Sequence, residues 1–349
     1  MGGGSKIVFS KYMGMFFILL LIFAGVIKIH SILTESKISQ WNYHTLQRIR
    51  EIEKNSKTPG KFSFVVFGDN KNSVKTFDSL ISRLNKEDVA FAIDDGDLVY
   101  DGEREKFRFF LDQLKGLEKP LFTVLGNHGI REEGRAPYYD IFGPFYYSFT
   151  FGNSYFIILD DANERSLGGF QLEWLRRELE KAGRYRYRFV FMHVPLYDPR
   201  RGKYGVGHSL KDLNYARRLN RILDSGNVTM LFCSHIHGYY RGVWGKTPYI
   251  ITGGAGAELA GADPQHYFYH YIKVNVDKSG VKFDIVKLKS PDFELIDRLT
   301  HDVWIYIYAF FAIHFVDALL FISLLYLGTY LIWVKRGWIL KKLRLDRHE

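Results

Sequence analysis

Apolar and polar positions follow different rules in successive stretches of the chain. From Tyr12 to Ile27 no charge interrupts the run, and Lys11 and Lys28 bracket it. At about 1.5 Å per residue such a helix falls slightly short of a ~30 Å hydrocarbon core, and snorkelling of the two lysines would extend it. A cleaved signal peptide shares this pattern, but no small-x-small site follows, which favours an uncleaved transmembrane anchor within residues 1–33. Ile38, Trp41, Leu46, Ile49 and Ile52 then recur at mostly three-residue spacing among charges, as far as Pro59-Gly60. That predicts an amphipathic helix within residues 34–60, acting as a stalk or linker or lying on a surface.

Over residues 61–300 the pattern changes to short apolar runs between helices. Phe62–Phe67, Val89–Ile93 and Leu121–Val124 read as strands, separated by helices over Val74–Leu84 and Glu103–Leu114. Tyr146–Phe151 and Tyr155–Leu159 form a hairpin around Gly152-Asn153, followed by a helix over Leu172–Lys181. Strand-like runs continue at Arg188–Met192, Thr229–Cys233, Tyr249–Thr252, Tyr269–Val276 and Lys282–Val286. Strands alternating first with helices and later with hairpins predict an α/β core with mixed sheets.

A second long apolar segment, residues 303–334, contains His314 and Asp317. Counting about 20 residues back from Lys335 reaches Phe315. Both ionisable groups then fall near the outer headgroups, where Trp304, Tyr306, Tyr308, Phe310 and Phe311 would form an aromatic belt. The chain is 349 residues long with a net charge of +10, and much of the excess lies in residues 335–349 as Lys335, Arg336, Lys341, Lys342, Arg344 and Arg347. This is the pattern of a cytoplasmic tail flanking a span, and it argues against a nucleic-acid partner. With two spans, both termini would be cytoplasmic and the middle of the chain extracytoplasmic. The single Cys233 excludes an intramolecular disulfide and reads as a buried small residue.

The apolar runs end in a recurring way. Asp69 follows the first in Phe67-Gly68-Asp69, Asp97 stands in Gly96-Asp97-Leu98-Val99-Tyr100, and Gly126-Asn127-His128 follows the third. His193 lies in Phe191-Met192-His193-Val194-Pro195, and His235 and His237 in Cys233-Ser234-His235-Ile236-His237. Strand ends are where α/β folds place ligands. The spacing suggests neighbouring strands of one sheet, with the donors meeting along a single edge. Carboxylate, amide and imidazole together suit Mn, Fe or Zn better than Ca or Cu. Two such ions, roughly 3.5–4 Å apart, would clamp a phosphoryl group and generate hydroxide at neutral pH.

In this order the motifs resemble the calcineurin-like metallophosphoesterase superfamily, over roughly residues 61–290. The resemblance implies a four-layer sandwich of two mixed β-sheets flanked by helices, here with a transmembrane helix at each end. It also implies a two-metal site with Asp97 bridging, Asp69 and His237 on one ion, and Asn127, His193 and His235 on the other. Many members carry a histidine ligand two residues after the first aspartate, where this chain has Lys71. The Gly-Asp-x-x-Tyr motif is similar to the purple acid phosphatase form, which makes Tyr100 a candidate phenolate ligand, with an ordinary tyrosine beside a helix start as the alternative. Lys71 is either a phosphate contact or a solvated loop lysine. Gly129 stands where many relatives have an acid that orients the preceding histidine, so the pKa of His128 should be less elevated. His128 remains the candidate for stabilising the transition state or protonating the leaving oxygen. Arg131 is a further candidate for phosphate oxygens, whereas His208, His266 and His270 fall outside the ligand pattern and read as structural.

The expected function is a membrane-anchored phosphoesterase that cleaves a phosphate ester, of lipid-linked or headgroup type, through a metal-bridging hydroxide. Mono- and diesterase are not separated by sequence. A weakly catalytic metal-binding sensor or scaffold with the same fold is the alternative, kept open by Lys71 and Gly129.

Overall fold

The structure, a computed structural model, describes residues 3–38, 43–55, 60–288, 299 and 302–345. Two compact units divide the chain: Met1–Gln40 with Asp302–Glu349, and Trp41–His301.

The larger unit is a sandwich of two sheets. Strands β1 (Lys61–Phe67), β2 (Ala92–Asp94) and β3 (Leu121–Thr123) run parallel. Antiparallel β10 (His270–Asp277) and β11 (Val281–Lys287) extend them in the order β11-β10-β1-β2-β3. The second sheet is ordered β4-β5-β6-β7-β9-β8, with β5 (Ser154–Ile158), β6 (Tyr187–Phe191), β7 (Met230–Cys233) and β9 (Thr247–Thr252) parallel. Its edges are antiparallel, β4 (Tyr147–Phe151) on one side and β8 (Tyr239–Trp244) on the other.

Side-chain alternation along the strands builds the layers. Phe62, Phe64 and Val66 of β1 enter the inter-sheet core, where they join Phe91, Phe122, Phe149, Phe156, Phe189, Phe191 and Phe232. Phe64 is fully buried, with ring centroids 5.4 Å from Phe91 and 5.2 Å from both Phe156 and Phe189. On the opposite face of β1, Phe67 meets Phe77 of α3 (Lys75–Lys86), which stacks on Phe110 of α4 (Arg104–Leu114). Helices α6 (Gly169–Ala182) and α7 (Leu213–Ser225) cover the outer face of the second sheet through Leu175, Leu179, Leu219 and Leu223. Helix, sheet, sheet and helix make the four expected layers.

Elements outside the sequence expectation have identifiable causes. Helix α5 (Arg135–Phe142) carries Pro137 and follows a glycine-bearing loop, and α7 is interrupted by polar residues although Asp212 caps it through Asn214 and Tyr215. Edge strand β8 buries Tyr240 and Trp244, the latter stacked on Tyr249 at 3.5 Å, so these aromatics are core packing. The amphipathic segment is α2 (Thr45–Asn55), and it does not stand free as a stalk. Ile49 and Ile52 are buried in the inter-sheet cluster, and Glu53 accepts from the Thr150 backbone and hydroxyl. Trp41 and Pro59 lie outside the described residues.

In the smaller unit, α1 (Gly3–Ile38) pairs with a broken helix made of a wide turn Val303–Tyr308, α8 (Ala309–Ile313) and α9 (Phe315–Leu345). Tyr12–Leu33 and Phe315–Lys335 are each long and apolar enough to cross a bilayer. Phe17, Ala24 and Ile322 pack between them. Lys28 does not mark the end of the first apolar helix, which continues past it, and its Nζ donates to the Ala312 carbonyl at 2.7 Å. The side chains beyond Lys335, including the basic tail, lie outside the described residues.

The Phe64→Ala variant removes the ring at the centre of this aromatic layer and should lose about 3–5 kcal/mol of stability, as large-to-small core changes do. Chemical denaturation of variant and parent, compared at equal slope, measures it.

Candidate metal centre

Each donor sits on a loop that leaves the C-terminal end of a parallel strand. Asp69 follows β1, Asp97 follows β2 and Asn127 follows β3, whereas His193 follows β6, and His235 and His237 follow β7. The donors therefore come from two sheets, not from one edge of a single sheet as their spacing suggested. The two sets of loops are bound together: Ala255 N donates to Gly68 O at 3.0 Å, Ala257 N to Asp69 O at 2.8 Å, and Ser234 Oγ to Asp95 O at 2.5 Å.

Sharp turns aim the side chains inward. Asp69, Asp97 and His235 have φ of 60°, 55° and 64°, a left-handed conformation that Asp, Asn and His adopt more readily than most residues. Two glycines leave room for them. Gly96 has φ of 102°, and a Cβ there would lie 2.5 Å from His193 Nδ1; a Cβ on Gly126 would collide with the Asp97 carboxylate.

Two groups of donors result, each with its ligand atoms within 4.8 Å of one another: Asp97, His193 and His235, and Asp69, Asp97 and His237. Asn127 joins the first group, its Oδ1 lying 3.0 Å from both His193 Nε2 and His235 Nδ1. Both carboxylates are wholly buried, and Asp69 Oδ1, Asp69 Oδ2 and Asp97 Oδ2 accept no hydrogen bond. Dry carboxylate oxygens without donors, surrounded by imidazoles, are what a cation site requires. The first group offers carboxylate, amide and two imidazoles and fits a metal ion. In the second group the Lys71 ammonium already stands among the donors, 3.3 Å from Asp97 Oδ2 and 2.9 Å from His237 Nε2. A second ion does not fit beside it in this arrangement.

The electrostatics are those of a cation-seeking pocket. Burial pushes Asp69 up to about 6, against the pull of His193 and with the Asp97 charge adding to the rise. Burial acts the same way on Asp97, but His193 and Lys71 outweigh it and hold this carboxyl well below its usual range. His193 is raised to about 10 because Asp97 overrides the burial that opposes its charge. Burial and the His193 charge press His235 well below the ordinary value, and burial with Lys71 takes His237 down to about 4. A metal ligand must present a lone pair, so metal uptake at His193 would release a proton.

His128 donates from Nδ1 to the Tyr100 carbonyl at 2.5 Å, which leaves Nε2 to accept from Lys71 at 3.0 Å. Burial lowers its pKa, Asp97 opposes this and Lys71 reinforces it, so the ring is neutral at neutral pH. Tyr100 is half-buried, with the Lys106 ammonium 5.6 Å from its ring centre and the His128 ring at 5.9 Å. Arg131 is exposed at the rim, 3.3 Å from Asp101. Arg135 is committed to a two-pronged pair with Asp160.

Sequence reasoning missed several neighbours. Asp161 accepts from the backbone N–H groups of His193 and Val194, both at 2.9 Å, and so fixes the loop carrying that ligand. It too ends an apolar run, the signal by which the donors themselves were found. His208 lies with its ring 5.4 Å from His235, although it read as structural. Asp198 holds that loop by accepting from the His208 N–H at 2.9 Å and from Arg200. His266 stacks on Tyr240, and His270 is buried between Thr252 and the Phe268 carbonyl, both structural as expected.

Comparison with known proteins agrees with this geometry. A protein of Arcobacter nitrofigilis described as a probable glycerophosphodiester phosphodiesterase is 25% identical over 188 residues, spanning 49% of this chain and 62% of that one. The chain thus covers less than two thirds of that relative. Among solved structures, the purple acid phosphatase from yellow lupin (Lupinus luteus) seeds superposes with a TM-score of 0.52 at 18% identity, covering 66% of this chain and 53% of that chain. GAP50, the anchor in the inner membrane complex of Plasmodium, gives 0.49 at 15% identity over 70% of this chain and 95% of its own. The family model for calcineurin-like phosphoesterases matches residues 62–239, a span that opens within β1, closes at the start of β8 and includes every donor of both groups. The chain therefore belongs to the calcineurin-like phosphoesterase family.

Proposed function

We propose that this chain is a metal-dependent phosphoester hydrolase held to a membrane by its two apolar terminal helices, with both termini cytoplasmic and the larger unit outside. The observation that carries the catalytic reading is the set of buried carboxylate oxygens without hydrogen-bond donors, facing imidazole and amide groups at one end of the sandwich. Asp97, Asn127, His193 and His235 would hold a metal ion. When bound, that ion supplies Lewis-acid chemistry: it polarises a phosphoryl oxygen and acidifies water.

The chain's own residues then have distinct tasks. His193 Nδ1 donates to the Asp95 carbonyl at 3.1 Å, which turns Nε2 toward the donor group. Second-sphere bonds of this kind fix the tautomer and orientation of a ligating imidazole. Arg131, exposed at the rim, would receive phosphoryl oxygens. His128 is neutral with Nε2 accepting from Lys71, so the proton for a leaving oxygen resides on Lys71 and not on the imidazole.

A lipid-linked or headgroup phosphate is the proposed substrate class. The connection that leaves the C-terminal end of β6, which also carries His193, exposes Tyr204 and Val206 beside Arg201 and Lys203. Apolar and cationic side chains together suit a headgroup layer. The A. nitrofigilis relative bears the name of a glycerophosphodiester phosphodiesterase, and a phospholipid headgroup carries the same diester linkage.

Asp97→Asn should reduce hydrolysis of an aryl phosphate by on the order of 10²–10³-fold, the cost of losing a major transition-state stabiliser. Unchanged turnover in folded, metal-loaded variant would end the catalytic reading. Arg131→Ala should lower kcat/KM about tenfold, mostly through KM, as loss of one charge-assisted hydrogen bond implies. For the substrate class, the full chain in lipid vesicles should cleave a phospholipid headgroup ester faster than a water-soluble analogue. Equal rates on both would remove the lipid from the proposal.

A further inference from the structure

We propose that the Lys71 ammonium occupies the place of one of the two cations for which these donors are arranged, and that the site binds a single metal ion at Asp97, Asn127, His193 and His235. The inference rests on the metal-centre reading above and departs from the two-ion expectation for the family.

The backbone holds Lys71 in position before its side chain is considered. Its φ is 44° and that of Asn72 is 58°, so the chain turns sharply just after Asp69. Lys71 N donates to the Asp97 carbonyl at 2.9 Å and Asn72 N to the Leu98 carbonyl at 3.3 Å. The Asn72 side chain bonds to the Lys106 carbonyl and the Tyr100 N–H. Lys71 is thereby fastened along the loop that carries Asp97, and its side chain is only 12% exposed.

The head group donates to two imidazoles and forms an ion pair with one carboxylate oxygen. His237 Nε2 lies at 2.9 Å, His128 Nε2 at 3.0 Å and Asp97 Oδ2 at 3.3 Å. Asp97 and His237 are two of the three side chains in the second donor group. A metal there would need the same atoms at roughly 2.0–2.2 Å, and an ammonium already sharing them excludes it by space and by like charge in a dry setting. Lys71 has the chemistry to substitute, since an ammonium is a compact point charge with rotatable donors.

The first donor group is organised without the lysine. His193 Nε2 and His235 Nδ1 converge on Asn127 Oδ1, and His193 Nε2 is 3.3 Å from Asp97 Oδ1. Asp97 therefore has one oxygen toward each cation, a metal ion on one side and the ammonium on the other. Asp69 stands 3.8 Å from His237 Nε2 and is answered by the ammonium's charge through space, not by ligation.

The test uses the full chain in detergent, stripped with chelator, reloaded with Mn(II) and freed of excess ion. Elemental analysis should give one Mn per chain, and electron paramagnetic resonance an isolated-ion signal. Lys71→His replaces the ammonium with an imidazole ligand and should raise the count to two, with an exchange-coupled signal. Lys71→Ala, which vacates the space without adding a donor, covers the case in which the histidine variant does not fold; a second, weaker Mn should appear at excess metal. Two ions in the parent protein would overturn the substitution by Lys71 and leave the metal centre standing. No bound ion would overturn both. A count that stays at one in the folded Lys71 variants would show that the lysine is not what excludes the second ion.

Discussion

Asp69 and Asp97 are carboxylates held entirely out of water, and three of their four oxygens accept no hydrogen bond. Burying one such charge costs roughly several kcal/mol even after relaxation, unless a cation answers it. Two of them a few ångströms apart would open the structure if the surrounding fold did not resist. The resistance comes from the phenylalanine layer between the sheets, where Phe64, Phe91, Phe156 and Phe189 lock the strands whose ends carry the acids. Stability is concentrated behind the site so that the site itself can remain electrostatically unfulfilled. The Lys71 ammonium, the imidazoles and a bound metal ion are the available responses to that one demand.

The two sheets contribute different chemistry. The first supplies the acids and the amide, the second the imidazoles, so the complete donor set exists only when the sandwich closes. Cross-links such as Ser234 Oγ to the Asp95 carbonyl and Ala257 N to the Asp69 carbonyl fix the relative height of the two strand ends. Metal affinity and closure of the sandwich are consequently linked, because an unfolded chain cannot assemble the ligands. Behind the donors, Asp94 and Asp95 are also wholly buried, and burial together with their neighbouring acids raises both well above the ordinary carboxyl value.

Much of this was legible in sequence, and what was missed has physical reasons. The inter-sheet strands announced themselves because alternation along Phe62, Phe64 and Val66 has the period of a strand with two unlike faces. The donor motifs were legible for a related reason, since polar residues that abruptly end an apolar run have few roles other than turning the chain or binding something. That the donors come from two sheets was not legible, because strand order is set by long-range pairing and consecutive motifs give no hint of where one sheet stops. Helix α7 was hidden because Asn220 replaces an apolar residue on its inner face and spends its amide on the Trp244 carbonyl and Asp224. His208 was hidden because only tertiary folding brings its exposed loop to His235. The amphipathic spacing of α2 was visible, but the same pattern describes a helix on a membrane surface and one sealing the edge of a core; Ile49 and Ile52 in the phenylalanine layer decide for the core.

The terminal unit is held together by contacts of another kind. At His314 the second apolar helix breaks, with φ of −94° and ψ of 42°, between Ala309–Ile313 and Phe315–Leu345. A break frees backbone carbonyls, and a carbonyl enclosed by apolar side chains without a donor costs free energy. Lys28 on the partner helix carries an ammonium that is equally poorly placed among Ile27, Ile29 and their apolar neighbours. Its bond to the Ala312 carbonyl at 2.7 Å solves both problems with one contact. A turn closer to the other end of the wide segment, His30 Nδ1 and the Tyr308 hydroxyl meet at 2.8 Å, a second polar pair on the same helix faces. Two helices that share such bonds have a fixed register along their axes, which apolar packing of Phe17, Ala24 and Ile322 alone would leave free to slide. The lysine expected to close the first apolar segment is thus the group that sets how the two apolar helices align.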